Sequence, residues 1–148
     1  MKGLLPALAL AALASCSRIA VLHDPLTAPE HNYLGVAYES AGQSELAARQ
    51  YRRALDLDPR LVRARVNLGN LEAAAGRWPR AERCYRRALR DSTDDADALN
   101  NLAVALVRQR KSLDEAEALA RRAIAGAAGR DSIFRATLAD VQAARTGR

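Results

Sequence analysis

Apolar side chains recur along most of this chain with a helical period. Leu34, Tyr38 and Ala41 stand at i, i+4 and i+7, one face of a helix, and Gly42 then stops the pattern as a helix C-terminus would. Ala47, Tyr51 and Ala54 repeat the spacing on a second predicted helix, and Pro59 closes the unit. The whole design returns 34 residues later. Tyr51, Arg52, Arg53, Ala54 and Leu55 reappear as Tyr85, Arg86, Arg87, Ala88 and Leu89, and Leu34, Gly35, Gly42 and Ala47 reappear as Leu68, Gly69, Gly76 and Ala81. Leu68 maps once more onto Leu102, and Gly69 onto Ala103. From Ala81 to Ala116, and from Ala88 to Ala123, the step is 35, which places one inserted residue in the turn at 110–113. A last helical pattern covers 131–146, with Asp131 or Ser132 as its cap and Phe134, Leu138 and Val141 facing inward.

A single helical hairpin of this kind cannot bury its apolar face alone, so the hairpins stack and a terminal helix covers the open end. The expected fold is therefore all-α, a solenoid of about three helix-turn-helix repeats (28–61, 62–95 and 96–130) plus a C-terminal capping helix. The small residues have a packing role: Gly35 and Ala47 let paired helices approach closely, while Tyr51 fills the space beside them. In the third unit Ala120 replaces the aromatic residue, which predicts looser packing there.

These residues resemble the tetratricopeptide repeat family. The first repeat carries the family's pattern through Leu34, Gly35, Tyr38, Gly42, Ala47, Tyr51, Ala54 and Pro59. The second keeps Leu68, Gly69, Gly76, Ala81, Tyr85 and Ala88 but has Glu72 and Thr93 where Tyr and Pro are usual. The third keeps Leu102, Ala103, Ala116 and Ala123. The resemblance implies a concave groove lined by the first helix of each pair, holding a protein or peptide partner. Asn67 and Asn101 occupy the same place in consecutive repeats, and an amide both donates and accepts, so it can hold a peptide backbone without reading its sequence. Asn32, Arg63, Val66, Asn70, Asp97, Asn100 and Val104 fall at neighbouring groove positions. A second reading stands beside it, in which Asn67 and Asn101 bond only the adjacent loop. The full Lys/Arg set of certain chaperone-tail clamps in this family is missing.

The N-terminus breaks the period. Lys2 precedes an uncharged apolar run from Leu4 to Ala14, the anatomy of a secretory signal peptide and too short for a bilayer span of about 20 residues. Leu13, Ala14, Ser15 and Cys16 resemble the lipobox of bacterial lipoproteins. That resemblance implies a diacylglycerol thioether on Cys16, cleavage just before it, and 1–15 as the signal peptide. Ordinary secretion, with cleavage near Ala14 or Ser15, is the alternative. Residues 16–29 then form a lipidated tether and 30–148 the repeat domain. A membrane anchor facing the periplasm follows, and Ser17, where an aspartate favours inner-membrane retention, points to the outer membrane.

Composition changes the picture little. The 148 residues are 49% hydrophobic but only 4% aromatic, which suits closely packed Ala- and Leu-rich helices better than a β-sandwich. The net charge of +6 becomes +5 once 1–15, with one Lys and no acid, are removed. Arginines recur as the pairs Arg52 and Arg53, Arg86 and Arg87, Arg121 and Arg122. Such pairs suit a solvated helix face; they leave open a binder of an anionic surface or nucleic acid, although export argues against nucleic acid.

Candidate chemistry is sparse. His23 and His31 are the only histidines, and Cys84 is the one cysteine besides Cys16. A Cys84 nucleophile with His31 as base is conceivable, yet both residues fit packing roles. No zinc, redox-cysteine, nucleophile-elbow or phosphate-loop motif is present. The acidic residues of 91–95 and Asp114 and Glu115 suit helix starts. The sequence therefore predicts no enzyme, no metal, no cofactor and no small-molecule substrate.

Overall fold

The protein was analysed as a computed structural model, which describes residues 24–127 and 131–147. The expected signal peptide, Cys16, His23 and the tether up to residue 23 lie outside the described residues. Seven α-helices are present among the described residues: α1 (Ala28–Ser40), α2 (Ser44–Leu57), α3 (Val62–Ala74), α4 (Trp78–Asp91), α5 (Ala96–Arg108), α6 (Leu113–Ala125) and α7 (Asp131–Thr146). They pair as α1–α2, α3–α4 and α5–α6, each hairpin packs on the next, and α7 lies against α5 and α6. This is the all-α solenoid with a terminal helix that the sequence predicts.

Local chemistry sets the helix ends. Thr27 and Glu30 form a capping box, the Thr27 backbone N–H donating to the Glu30 carboxylate at 2.7 Å, with Pro29 in the first turn. Asp95 caps α5 by accepting from the Ala98 N–H at 2.8 Å. Asp91, expected at a helix start, instead ends α4. The turns inside the hairpins share one geometry. Gln43, Arg77 and Lys111 each donate a backbone N–H to the carbonyl five residues back, on Tyr38, Glu72 and Leu106. This C-terminal closure needs a left-handed residue, and Gly42 and Gly76 supply it at φ +72°. In the third hairpin Arg110 stands in that place at φ 49°, and Ser112, beside the inserted residue, is left-handed at φ 47°. Neither is glycine, so this turn holds strain that the other two avoid.

The alanine and tyrosine period is the packing code. Ala47, Tyr51 and Ala54, then Ala81, Tyr85 and Ala88, then Ala116, Ala120 and Ala123 are all buried. A Cβ placed on Gly35 would stand 2.4 Å from Tyr51 Cε1, and one on Gly69 would stand 2.5 Å from Tyr85 Cε1. Glycine on the first helix is thus the partner of tyrosine on the second. The third hairpin changes both members at once, to Ala103 and Ala120, and both remain fully buried. The looser packing expected there is not what the structure shows. Leu99, Leu102 and Leu106 share one core with Phe134 and Val141 of α7, so side chains from the terminal helix seal the hairpin that has lost its tyrosine.

Ion pairs link repeats outside the core. Arg86 on α4 donates from both terminal nitrogens to the Glu115 carboxylate on α6, at 2.6 and 2.9 Å, and from Nε to Glu82 at 3.0 Å. Lys111 and Gln109 also donate to Glu82. Arg86 therefore holds the Glu115 carboxyl below its usual range.

Candidate functional site: the concave trough

The backbones of the first helices α1, α3 and α5 approach one another in sequence, whereas those of α2, α4 and α6 do not, α4 and α6 meeting only through long side chains such as Arg86 and Glu115. The inner wall of the solenoid is thus made by the first helices, and the second helices splay outward. A helix presents i, i+3, i+4 and i+7 on one side. The inner face of α3 therefore offers Arg63, Asn67 and Asn70, and that of α5 offers Asp97, Asn101 and Val104.

Along this wall the amides bond to one another. Asn67 Nδ2 donates to Asn32 Oδ1 at 3.0 Å, joining α3 to α1. Asn101 Nδ2 donates to Asn70 Oδ1 at 2.9 Å, joining α5 to α3, and the Tyr85 hydroxyl donates to the same oxygen at 2.9 Å. Burial pushes the Tyr85 phenol well above its usual pKa, so it remains a donor throughout the ordinary pH range. Asn100 Nδ2 donates to Asn101 Oδ1 at 3.3 Å, while Asn100 Oδ1 is buried without a hydrogen-bond partner. Asn67 and Asn101 each spend one N–H in this ladder and keep a second, and Asn67 keeps its carbonyl oxygen. Their neighbours are asparagines of the adjacent first helix, not the adjacent loop.

The expected groove residues divide by exposure. Arg63 is exposed, and Asn67, Asn70, Asp97, Asn101 and Val104 are half-buried. Asn32, Val66 and Asn100 are buried, so they back the wall instead of facing a ligand, a correction to their expected place. The reason is their position on the flank of each helix that turns toward the neighbouring first helix.

Two apolar side chains belong to the same face and were missed. Tyr33 is 68% exposed and Val36 42% exposed on α1. They stand 34 residues before Asn67 and Asn70, so the repeat register itself could have found them. Further along the trough, Asn70, Ala73, Trp78, Tyr85, Asn101 and Val104 line a hollow of about 400 Å³, and Arg108 lies 5.7 Å above the Trp78 ring. Val104 is shared with a second hollow of about 730 Å³, which runs past Val107 and Arg108 to Thr137, Asp140 and Ala143 on α7. The two hollows thus continue one another. The smaller is lined by amides and apolar side chains, the larger by short apolar side chains with Arg108, Arg110, Thr137 and Asp140, a surface suited to an extended chain with apolar and polar side chains.

The other candidates for chemistry do not assemble. The His31 ring nitrogens are taken by Gln50 Oε1 at 2.7 Å and Asp24 Oδ2 at 3.0 Å, so Cys84 is not their partner. Burial pushes the Cys84 thiol up, away from the reactive thiolate. Among the described residues no group of His, Cys, Asp and Glu could hold a metal ion, and no helix is long and apolar enough to cross a membrane.

Comparison with known proteins now bears on the same residues. The tetratricopeptide repeat family model matches residues 28–61 and again 66–132. The chain belongs to the tetratricopeptide repeat family. Among solved structures it is similar to the first tetratricopeptide repeat domain of Spaghetti (RPAP3) bound to the HSP90 peptide SRMEEVD, at a TM-score of 0.75 and 18% identity. That match covers 84% of this chain and 99% of that one. It is also similar to the Yersinia enterocolitica type III secretion translocator chaperone SycD, at a TM-score of 0.71 and 18% identity, covering 80% of this chain and 85% of that one. At such identity the likeness concerns the fold. No curated protein sequence matches the chain.

Proposed function

We propose that this protein is a lipid-anchored adaptor of the bacterial envelope that holds a partner polypeptide in its concave trough and catalyses no reaction. The observation that carries the reading is the trough itself: a continuous concave surface along α3, α5 and α7 with amides that retain hydrogen-bonding capacity, bordered by exposed apolar side chains at Tyr33 and Val36. An extended chain could donate and accept backbone hydrogen bonds at Asn67 and Asn101 while its side chains pack on Val104 and Val107. Two similar structures support the class of ligand, one carrying an HSP90 peptide and the other being a translocator chaperone.

The signal-like run, the lipobox-like end at Cys16 and Ser17 support export and anchoring on the periplasmic side, with the outer membrane preferred to the inner. Assembly of an envelope complex is the setting that joins an anchor to a polypeptide-binding trough. The test is co-purification from the native envelope after gentle cross-linking, with an Asn67→Ala, Asn101→Ala double variant run in parallel. The adaptor reading expects a polypeptide captured by the wild type and lost in a double variant that is still helical. The same set captured by both proteins would contradict it.

A further inference from the structure

The excess positive charge of this chain is not where the arginine pairs suggest. Arg52 pairs with Glu72, Arg53 with Asp24, Arg86 with Glu82 and Glu115, Arg121 with Glu117, and Arg122 with Asp94. Of the six paired arginines only Arg87 makes no ion pair among the described residues. It belongs to a different set. Arg80, Arg83, Arg87 and Arg90 stand at i, i+3, i+7 and i+10, a single stripe along the outer side of α4. All four are exposed, and among the described residues none of their side chains makes a hydrogen bond or ion pair. Ten residues of helix make the stripe roughly 15 Å long. The acids nearest it are already engaged: Asp91 faces Arg60 at 3.5 Å, and Glu72 is held by Arg77 and Arg52.

Beside the stripe lies a hollow of about 470 Å³ reaching Arg65 on α3. Arg65 is 8% exposed; its guanidinium donates to the Pro59 carbonyl, and its Nε has no partner among the described residues. Burial and then the nearby charge of Arg87 lower its pKa, and Asp91 offsets this in part. An anionic surface laid on α4 would relieve it.

The position of Asp24 selects which anion. Asp24 is pinned to Arg53 at 2.8 Å and to His31, and Arg53 occupies in the first repeat the place that Arg87 occupies in the second. Asp24, the first described residue, thus sits on the same outer face that carries the stripe, one repeat away. Cys16 is eight residues before Asp24, so an acyl group on it lies within roughly 28 Å of that point. We propose that the outer face of α4, through Arg80, Arg83, Arg87 and Arg90, rests on the anionic phospholipid surface of the membrane to which Cys16 anchors the chain. This rests on the anchoring reading above. The diacylglycerol on Cys16 and a polybasic surface together give firmer attachment than either alone, and the trough on the opposite face is left open to its partner.

Flotation with vesicles tests this on the full-length chain carrying Cys16→Ser, which separates the arginines from the lipid. Vesicles of phosphatidylcholine alone are compared with vesicles containing phosphatidylglycerol. The expected result is preference for the anionic vesicles, falling steeply with added salt and reduced about fivefold for each arginine changed to Gln. Lys at the same four positions should retain the preference, and circular dichroism should be unchanged in both sets. Equal binding to the two vesicle types, or a preference that survives the Arg→Gln series, would overturn the proposal. So would binding to polyglutamate as tight, per charge, as to the vesicles, which would assign the stripe to an acidic polypeptide. Mass spectrometry of wild-type protein from the membrane fraction reads acylation of Cys16 separately, so a failed anchor and a failed arginine surface give different results.

Discussion

On the concave face the polar side chains answer one another, Asn67 to Asn32 and Asn101 to Asn70, whereas on the outer face of α4 four arginines answer nothing among the described residues. The two arrangements follow from what each face must meet. A half-buried amide without a partner costs about 1–3 kcal/mol, so a wall of amides is stable only as a ladder, and what it offers a ligand is the capacity left over. An exposed guanidinium is well hydrated and needs no partner to be tolerated, so a row of them stores no local penalty and projects its field outward. Position in the repeat thus decides whether a polar group builds the scaffold or is held out for a partner.

The largest predicted effect strikes the contact that sets the spacing of both faces. Gly69→Ala should destabilise the protein by about 2 kcal/mol, because the new Cβ would stand 2.5 Å from the Tyr85 ring. In a Tyr85→Ala background the same change should cost nothing, since the third hairpin already pairs Ala103 with Ala120. Urea unfolding of the four proteins measures the coupling, and equal penalties in the two backgrounds would refute the glycine–tyrosine pairing.

A second pair of variants compares the faces directly. Asn67→Ala removes the donor to Asn32, which is 3% exposed, and should cost about 1–2 kcal/mol. Arg87→Ala should stay within about 0.5 kcal/mol of wild type, because its side chain is exposed and has no partner among the described residues. Denaturant midpoints for the two would invert if the arginine stripe were structural and the amide ladder incidental. The smallest effect concerns the turn of the third hairpin, where Arg110→Gly should stabilise by roughly 0.5–1 kcal/mol by relieving a left-handed arginine. Thermal unfolding would show it, and no change would mean that the turn is unstrained.

The solenoid was legible because the same small and aromatic residues return at 34-residue intervals, and helical spacing within each interval separates the buried side from the exposed one. The insertion at 110–113 was visible as a change of step; its strain was not, because backbone dihedrals are not written in a repeat register. Within the site, Asn67, Asn101 and Val104 were legible by register, and Tyr33 and Val36 should have been by the same argument. Asn32 and Asn100 were misplaced because their burial depends on how closely consecutive first helices approach, which a one-dimensional period does not carry. The arginines illustrate the same limit. Adjacent residues such as Arg86 and Arg87 point to different sides of a helix, and here one is locked to Glu115 while the other is exposed. The stripe shows only when residues three and four apart are read together.

Photo-cross-linking on the two faces tests the central claim most directly. A photoreactive residue is placed at Val104 in the trough, and in a separate protein at Arg83 on the outer face, and each is irradiated in intact cells. The account predicts a discrete polypeptide adduct from Val104 that disappears when Asn67 and Asn101 are both Ala, and no such adduct from Arg83. Polypeptide adducts at Arg83 with none at Val104 would contradict it, and would make the outer face the partner-binding surface.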